Sequence, residues 1–112
     1  MGYETSYYVS VSSSVDDLTE LCEFPAEPPD LLNLLNENLE RVDERDARGW
    51  CKWYDCDEEL TEVSKLYPNL LIIVEGVGEE YGDIWRLYVH NGKCVRHYAE
   101  IVFPPYDKAE FK

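Results

Sequence analysis

Basic residues are scarce in this sequence, and the first 40 positions contain none. The chain of 112 residues has 10 Lys or Arg against 24 Asp or Glu, which gives a formal net charge of −14. Residues 1–40 carry nine acidic side chains and no Lys or Arg, and residues 53–83 carry nine acidic side chains and one Lys. Such a surface repels nucleic acid and anionic membranes, and it attracts basic surfaces at rates that salt reduces. We therefore expect a basic protein partner, with no direct nucleic-acid partner and no membrane partner.

Long apolar runs are also missing. No stretch approaches the roughly 20 residues that cross a bilayer, and MGYETSYYVSVSSS lacks the basic and apolar regions of a signal peptide. Gly2 and Ser6 fit a myristoylation pattern, but that pattern also fits many unmodified proteins. Because 112 residues is the length of one ordinary domain, we expect a single cytoplasmic domain over residues 1–112, with residues 104–112 as a C-terminal tail.

Cysteine is too sparse for a secreted disulfide framework. The chain has Cys22, Cys51, Cys56 and Cys94, and cytosolic thiols normally stay reduced. A zinc site made of Cys51, Cys56, Cys94 and His97 would use C-x4-C and C-x2-H spacings, which are loose for zinc. On extended strands the two side chains of each pair would point to opposite faces. We expect buried free thiols, no metal and no other cofactor.

The glycine-rich segment GVGEEYG, residues 76–82, follows an apolar run as phosphate-binding loops do. Its spacing differs from G-x-G-x-x-G, a strand pattern follows it, and Glu79 with Glu80 would repel an anion. We interpret it as a strand connection whose glycines supply turn conformations. No nucleophile elbow is present, and the carboxylates lack apolar neighbours that would raise a pKa, so we expect no enzymatic activity and no catalytic residues.

Apolar periodicity predicts the order strand, two helices, strand, helix and three strands. The strands are predicted at residues 3–12, 50–54, 69–77, 84–90 and 93–103, and the helices at 14–23, 30–44 and 57–67. Asn91-Gly92 predicts a two-residue turn that pairs His90 with Lys93. This order favours an α+β fold, a mainly antiparallel sheet of about five strands with the helices packed on one face.

Acidic residues recur every three or four positions on the outer sides of the predicted helices, and three more lie in the glycine-rich connection. They are Asp16, Glu20 and Glu23 on the first helix, Asp30, Glu37, Glu40 and Glu44 on the second, Glu58 and Glu62 on the third, and Glu79, Glu80 and Asp83 in the connection. Like charges at i,i+4 spacing, as at Glu40 and Glu44, cost a helix about 0.2–0.5 kcal/mol. Helix stability alone would not select them, so we predict that these residues contact a partner.

Residues 49–107 contain the segments GWCKWYD, ELTEVSKLYPNLLIIVEGVGEEYGDIW, NGK and AEIVFPPYD. Together they resemble small phage and mobile-element proteins similar to the YubB-like ferredoxin-fold family. The resemblance covers about half of the chain and implies a ferredoxin-like variant of the α+β fold. It supplies no catalytic residues, and the predicted acidic helices at 14–44 lie outside it.

These observations favour a phage-type acidic inhibitor that occupies the basic nucleic-acid-binding surface of a host defence protein such as a CRISPR effector. A duplex presents one phosphate per about 3.4 Å along each strand, and helical carboxylates three or four residues apart rise about 4.5–6 Å. One alternative is that the acidic faces only keep the protein in solution. Another is a non-enzymatic interaction module, or a homodimer, that uses exposed aromatic residues of the sheet. The aromatic candidates are Trp50, Trp53, Tyr54, Trp85, Tyr88 and Tyr98.

Overall fold

Within residues 3–112, which the computed structural model describes, seven strands form one antiparallel sheet beside two helices. The strands are β1 Thr5–Ser12, β2 Leu21–Cys22, β3 Arg41–Val42, β4 Asp46–Cys51, β5 Leu71–Gly78, β6 Ile84–His90 and β7 Lys93–Tyr98. The helices are α1 Asp30–Asn38 and α2 Cys56–Ser64, and a 3₁₀ turn covers Lys108–Glu110. The α+β class is confirmed, and two of the seven strands are two-residue pairings that periodicity cannot reveal. Gly2, the myristoylation candidate, lies outside the described residues.

The strand order is β3-β4-β1-β5-β6-β7, and β2 pairs with the last two residues of β1. Because β1 is antiparallel to both β4 and β5, those two strands run parallel to each other with β1 between them. Helix α2 connects them. The β6–β7 hairpin extends the sheet, and its turn at Asn91 and Gly92, with φ of 44° and 82°, confirms the predicted pairing of His90 with Lys93.

The core lies between the sheet and both helices. Alternate residues of β1, among them Val9 and Val11, belong to one buried cluster that also contains Leu31 and Leu35 of α1 and Leu60 of α2. All five are fully buried, and each contributes roughly 1.5–3 kcal/mol to folding. Since these sheet residues share one face, both helices pack on that face and leave the other free of helices. Neither nine-residue helix of the described chain is long or apolar enough to span a membrane.

The predicted helix at 14–23 is wrong. Residues 13–20 form turns, and Leu21–Cys22 form β2. The Ser12 hydroxyl lies 2.7 Å from the Asp17 carbonyl, and Asp17 Oδ1 accepts hydrogen bonds from both the Thr19 amide and the Thr19 hydroxyl. Such side-chain bonds compete with helix formation, and Leu18 is 45% exposed, so this segment has no buried apolar stripe that would stabilise a helix.

The second helix is shorter than predicted, because α1 ends at Asn38 instead of residue 44. The Asn36 and Asn38 side chains donate to the carbonyls four residues before them, and Leu39 then turns to extended backbone. Glu40 and Glu44 therefore flank β3 and do not continue a helical stripe. The third helix is confirmed as α2, three residues shorter at its C-terminal end.

Residues 99–112 leave the sheet as an exposed segment that we call the C-terminal arm. The β7 strand ends at Tyr98, five residues before its predicted end at residue 103. The Ala99 amide still donates to the Ile84 carbonyl at 2.8 Å, after which the chain departs from β6. Phe103 and Phe111 are 77% and 74% exposed, so the arm displays large apolar side chains to solvent.

Candidate partner-binding surface

Strand termini and the start of α2 meet at one end of the sheet. Thr5 at the start of β1 pairs with Cys51 and Gly78, which end β4 and β5, and Trp85 near the start of β6 pairs with Tyr98. The residues that flank these termini are rich in carboxylates. We call the following set the acidic end: Glu4, Asp55, Asp57, Glu58, Glu59, Glu79, Glu80 and Asp83.

Hydrogen bonds fix the 79–83 loop of the acidic end against the residues that precede β1. The Tyr3 hydroxyl donates to Asp83 Oδ2 at 2.6 Å and accepts from the Glu80 amide at 2.9 Å. The Glu4 amide donates to Glu79 Oε2 at 2.6 Å. The bond to Asp83 raises the pKa of Tyr3, because it stabilises the protonated hydroxyl. Two loop carboxylates are therefore held in defined positions.

The glycines of this segment allow that arrangement. A Cβ on Gly78 would lie 2.0 Å from Asp83 Oδ2 and 2.3 Å from the Tyr3 hydroxyl oxygen, so only glycine leaves room for their hydrogen bond. Gly82 has φ of 85°, a conformation that favours glycine. The interpretation as a strand connection is confirmed, although only Gly82 supplies the turn while Gly78 lies in β5.

A cleft of about 230 Å³ joins the loop to α2. Its lining includes Tyr3 and Asp83 on one side and Tyr54 and Asp57 on the other. Tyr54 is 69% exposed at the opening. Carboxylates from two segments distant in sequence thus face one opening, next to aromatic rings.

Arg96 closes the base of this cleft and was missed by the sequence analysis. Its guanidinium pairs with Asp57 and stacks 3.8 Å above the Trp85 ring, which in turn packs against Tyr7 with centroids 5.9 Å apart. This pair neutralises Asp57 and leaves the remaining carboxylates of the acidic end to define its charge. Asp57 and Arg96 are 39 residues apart, so no local pattern connects them.

The other predicted contact residues lie outside the acidic end, although Glu40 approaches it, since Glu40 and Glu4 both accept hydrogen bonds from Trp50. They are Asp16 and Glu20 in the turns after β1, Glu23 after β2, Asp30 at the start of α1, Glu37 in its last turn, Glu40 before β3, Glu44 before β4, and Glu62 on α2. Glu40 Oε1 accepts from the Trp50 amide, and Glu62 pairs with Lys65 at 3.0 Å. Of the predicted set, the structure brings together Glu58, Glu79, Glu80 and Asp83, and the predicted helical stripes are broken.

The six aromatic candidates divide between core and surface. Trp53 and Trp85 are 4% and 5% exposed and belong to the core, so they cannot form an interaction surface. The Trp53 indole donates to Glu59 Oε1 at 2.6 Å. Trp50 and Tyr98 are 46% and 63% exposed, which leaves them free to contact a partner.

The helix-free face of the sheet carries a row of polar and aromatic side chains. The row Arg48, Tyr8, Glu75, Arg86 and His97 crosses five strands in register. Arg48 lies 5.6 Å from the Tyr8 ring centroid, and Arg86 pairs with Glu75 at 3.2 Å. The one acid of the row is therefore neutralised by a cation on the neighbouring strand, in contrast to the acidic end.

The cysteines differ in exposure. Cys56 is buried, and burial raises the pKa of its thiol. Cys94 is exposed, contrary to the expectation of buried thiols, because β7 is an edge strand. In the part of the chain that the structure describes, no three His, Cys, Asp or Glu residues form a group that could hold a metal ion.

Comparison of the chain with protein-family models, with curated proteins and with solved structures found no match. Its function is therefore inferred from its own residues.

Proposed function

We propose that this protein is a non-enzymatic acidic inhibitor that binds the basic nucleic-acid-binding surface of a host defence protein, such as a CRISPR effector, through its acidic end. The observation that carries this proposal is the convergence of eight carboxylate residues at one end of the sheet, where Tyr3 and the Glu4 amide fix the loop that bears Glu79 and Asp83. Lys and Arg side chains that bind phosphates also bind carboxylates. A carboxylate cluster can therefore take the place of nucleic acid on such a surface.

Preorganisation favours this use of the acidic end. Charges that are already held in place lose less conformational freedom on binding than charges on mobile side chains. The exposed rings of Tyr54 and Tyr81, at 69% and 87%, lie beside the carboxylates. A Lys or Arg of the partner gains a cation–π contact there in addition to an ion pair. The surface thus suits basic side chains in two ways.

We propose further that the fold is a ferredoxin-like variant. The elements β1-α1-β3-β4-α2-β5 form a βαββαβ unit whose strand order is β3-β4-β1-β5, with β4 and β5 parallel on either side of β1. This split βαβ arrangement supports the assignment. The short β2 and the β6–β7 hairpin are additions to it. The resemblance to phage and mobile-element proteins is in keeping with this proposal.

The proposal places the protein in the host cytoplasm. All four cysteines are free thiols, which that compartment keeps reduced. A partner that binds nucleic acid inside the cell is available there.

The test compares two charge reversals that change the net charge equally. Glu58→Lys with Glu80→Lys alters the acidic end, and Glu23→Lys with Glu37→Lys alters surfaces elsewhere; all four residues are exposed. Displacement of labelled nucleic acid from a purified CRISPR effector is measured at about 50 and 200 mM salt. We expect the first pair to weaken displacement at least about tenfold and to flatten its salt dependence.

The control pair should change displacement much less, because it removes the same charge from a different place. Equal losses for both pairs would show that only net charge matters and would refute a specific role of the acidic end. Thermal unfolding of each variant establishes that it is folded, since a cation in the first turn of α2 costs about 0.3–1 kcal/mol.

A second candidate is an interaction module that uses the helix-free face. The specific observation is the exposure of Tyr8 and Trp50, at 37% and 46%, with the Trp50 indole fixed by its 3.0 Å bond to Glu4 Oε1. In this case Trp50→Ser should abolish partner binding, and the reversal at Glu58 and Glu80 should have little effect. The same displacement assay therefore separates the two candidates.

A further inference from the structure

The C-terminal arm is not packed as part of the domain. The radius of gyration is 16.6 Å and the longest dimension is 60 Å, whereas a compact domain of this length has a radius of about 13 Å. Pro104 and Pro105 restrict the arm to an extended backbone. Beyond them, Tyr106 and Phe111 pack edge to face with centroids 5.5 Å apart, and Asp107 caps the 3₁₀ turn between them. Tyr106, Phe111 and the turn between them form an ordered unit at the end of the arm, which we call the aromatic knob, and the rest of the described chain does not cover it.

An apolar groove of about 520 Å³ lies on the helix-free face along the β6–β7 hairpin, from Lys93 beside the turn to His97, two residues before the arm begins. Val15 and Leu18 from the 13–20 turns form one wall, and Tyr88 and Val95 from the hairpin form the other. Val15, Leu18 and Val95 are 45–49% exposed. Grooves of roughly 300–1,000 Å³ hold ligands of several rings, so this groove has room for an aromatic knob.

We propose that two copies of the chain form a dimer in which the C-terminal arm of each copy occupies the apolar groove of the other. The arm starts beside Gly82, where Ile101 Cδ1 lies 3.7 Å from the position of an added Cβ, and the prolines direct it away from the sheet. Its own groove lies back along the hairpin between His97 and Lys93, so the arm would have to reverse its direction to enter it. A second copy therefore offers the same groove without reversal of the arm.

The area available to such an exchange matches that of a stable dimer. Phe103, Tyr106 and Phe111 are 77%, 75% and 74% exposed. Aromatic side chains bury roughly 150–250 Å² each, so full coverage of the three buries about 350–550 Å² per arm. Two arms and the surfaces that cover them give roughly 1,400–2,200 Å², within the range of about 1,200–2,000 Å² and above for specific interfaces.

Local charges favour the contact weakly, and the whole chains repel. Lys93 and His97 line the groove, and the arm carries three acidic residues, Glu100, Asp107 and Glu110, against Lys108 and Lys112. Two copies with a net charge of −14 nevertheless repel at long range, and salt screens that repulsion. The dimer should therefore tighten as salt is added, whereas inhibitor binding through the acidic end should weaken. The two proposals thus give opposite salt dependences and can fail independently.

The experiment uses the full chain in analytical ultracentrifugation between about 1 and 100 µM, the range in which a micromolar dimer dissociates. The arm variant combines Phe103→Ser with Phe111→Ser, and the groove variant combines Leu18→Ser with Val95→Ser. A matched control combines Val77→Ser with Ile84→Ser, which are 47% and 41% exposed outside the groove. We expect the arm and groove variants each to raise the dimer Kd at least about tenfold, and the control to leave it within about threefold.

Mixing the arm variant with the groove variant gives the sharpest outcome. A homodimer of either variant contains no intact arm-groove contact, whereas the mixed pair contains one, so the heterodimer should form more tightly than either homodimer. A face-to-face dimer of the sheets, a wild-type protein that stays monomeric over this range, or a dimer that survives the arm variant would each overturn the proposal. An arm that docks in its own groove belongs to the monomeric outcome.

Discussion

Replacing Gly76 by alanine should destabilise the protein, because Trp85 occupies the space in which the added methyl group would lie. Gly76 in β5 pairs directly with Trp85 in β6. A Cβ on Gly76 would lie 2.1 Å from Cζ2 and 2.2 Å from Cε2 of the indole. The ring is 5% exposed and is confined by Tyr7 and by the Arg96 guanidinium, so it cannot simply turn aside.

The magnitude follows from the distance that the ring must move. Carbon atoms pack at about 3.5–4.0 Å, so the indole of Trp85 has to retreat by roughly 1.5 Å within a filled core. Overpacking of this kind costs typically 1–3 kcal/mol, and alanine recovers about 0.5–1 kcal/mol of backbone entropy relative to glycine. The 2.1 Å approach places the cost in the upper part of that range, at about 2–3 kcal/mol. We therefore expect a net loss of about 1–2 kcal/mol in the free energy of unfolding, which lowers Tm by roughly 5–10 °C in a domain of this size.

A double-mutant cycle separates the steric clash from a general effect on the strand. Trp85→Leu removes the clashing ring atoms, so Gly76→Ala should be neutral or slightly stabilising in that background, with a coupling energy of about 1–2 kcal/mol. Urea and thermal unfolding of the four proteins measure it. Equal losses in both backgrounds, or an unchanged Tm for the single Gly76→Ala variant, would refute the packing of Trp85 described above.

Three further expectations concern hydrogen bonding, thiol reactivity and pH. Tyr3→Phe removes the acceptor of the Glu80 amide, so hydrogen exchange at that amide should accelerate while the free energy of unfolding falls by about 0.5–1.5 kcal/mol; unchanged exchange would contradict the role assigned to the hydroxyl. Cys94 should react with a thiol reagent in the native state and Cys56 only after unfolding, since Cys94 is exposed and burial raises the pKa of Cys56; mass spectrometry of partly labelled protein identifies the site. Burial raises the pKa of Tyr7 to about 12 from 10.0, so the folded state holds this proton after the unfolded state has lost it. The resulting contribution to stability is complete below pH 10.0 and is lost as pH rises towards about 12, which the Tyr7→Phe variant should reveal as a flatter stability curve in that window.

Elements whose structure is determined by a short local sequence pattern were predicted well. The β5 strand followed from an uninterrupted apolar run, α2 from the spacing of Leu60 and Val63, and the β6–β7 register from Asn91-Gly92. In each case the local preference and the tertiary packing agree. Sequence periodicity is informative where the two point to the same structure.

The errors fall where strand pairing and turn hydrogen bonds decide the conformation. The 14–23 segment has helical spacing, but β2 pairs with β1 and the Phe24 amide donates to the Glu44 carbonyl, so extended backbone is favoured there. Tertiary pairing overrides weak helix propensity in such segments.

The candidate surface was predicted only in part, because its contacts join segments that are distant in sequence. Glu79 and Glu80 were identified from sequence as contact residues, which remains a prediction. The Glu79 carboxylate accepts from the Glu4 amide, and the Glu80 amide donates to the Tyr3 hydroxyl, each from more than 70 positions away. These bonds and the pairing of Asp57 with Arg96 depend on the sheet topology. No pattern within a short window contains both partners.

The position of β1 between β4 and β5 has a consequence for the order in which the chain can fold. Thr5 pairs with Cys51 on one side and with Gly78 on the other, so the first strand finds its second neighbour only after more than 70 further residues have been made. At roughly 5–20 residues per second, synthesis leaves that strand half-paired for several seconds. The backbone of β1 on its β5 side, including that of Val9 and Val11, is unpaired during this interval and open to other nascent chains. The run of acidic residues without Lys or Arg that follows them would keep such chains apart by mutual repulsion until β5 arrives.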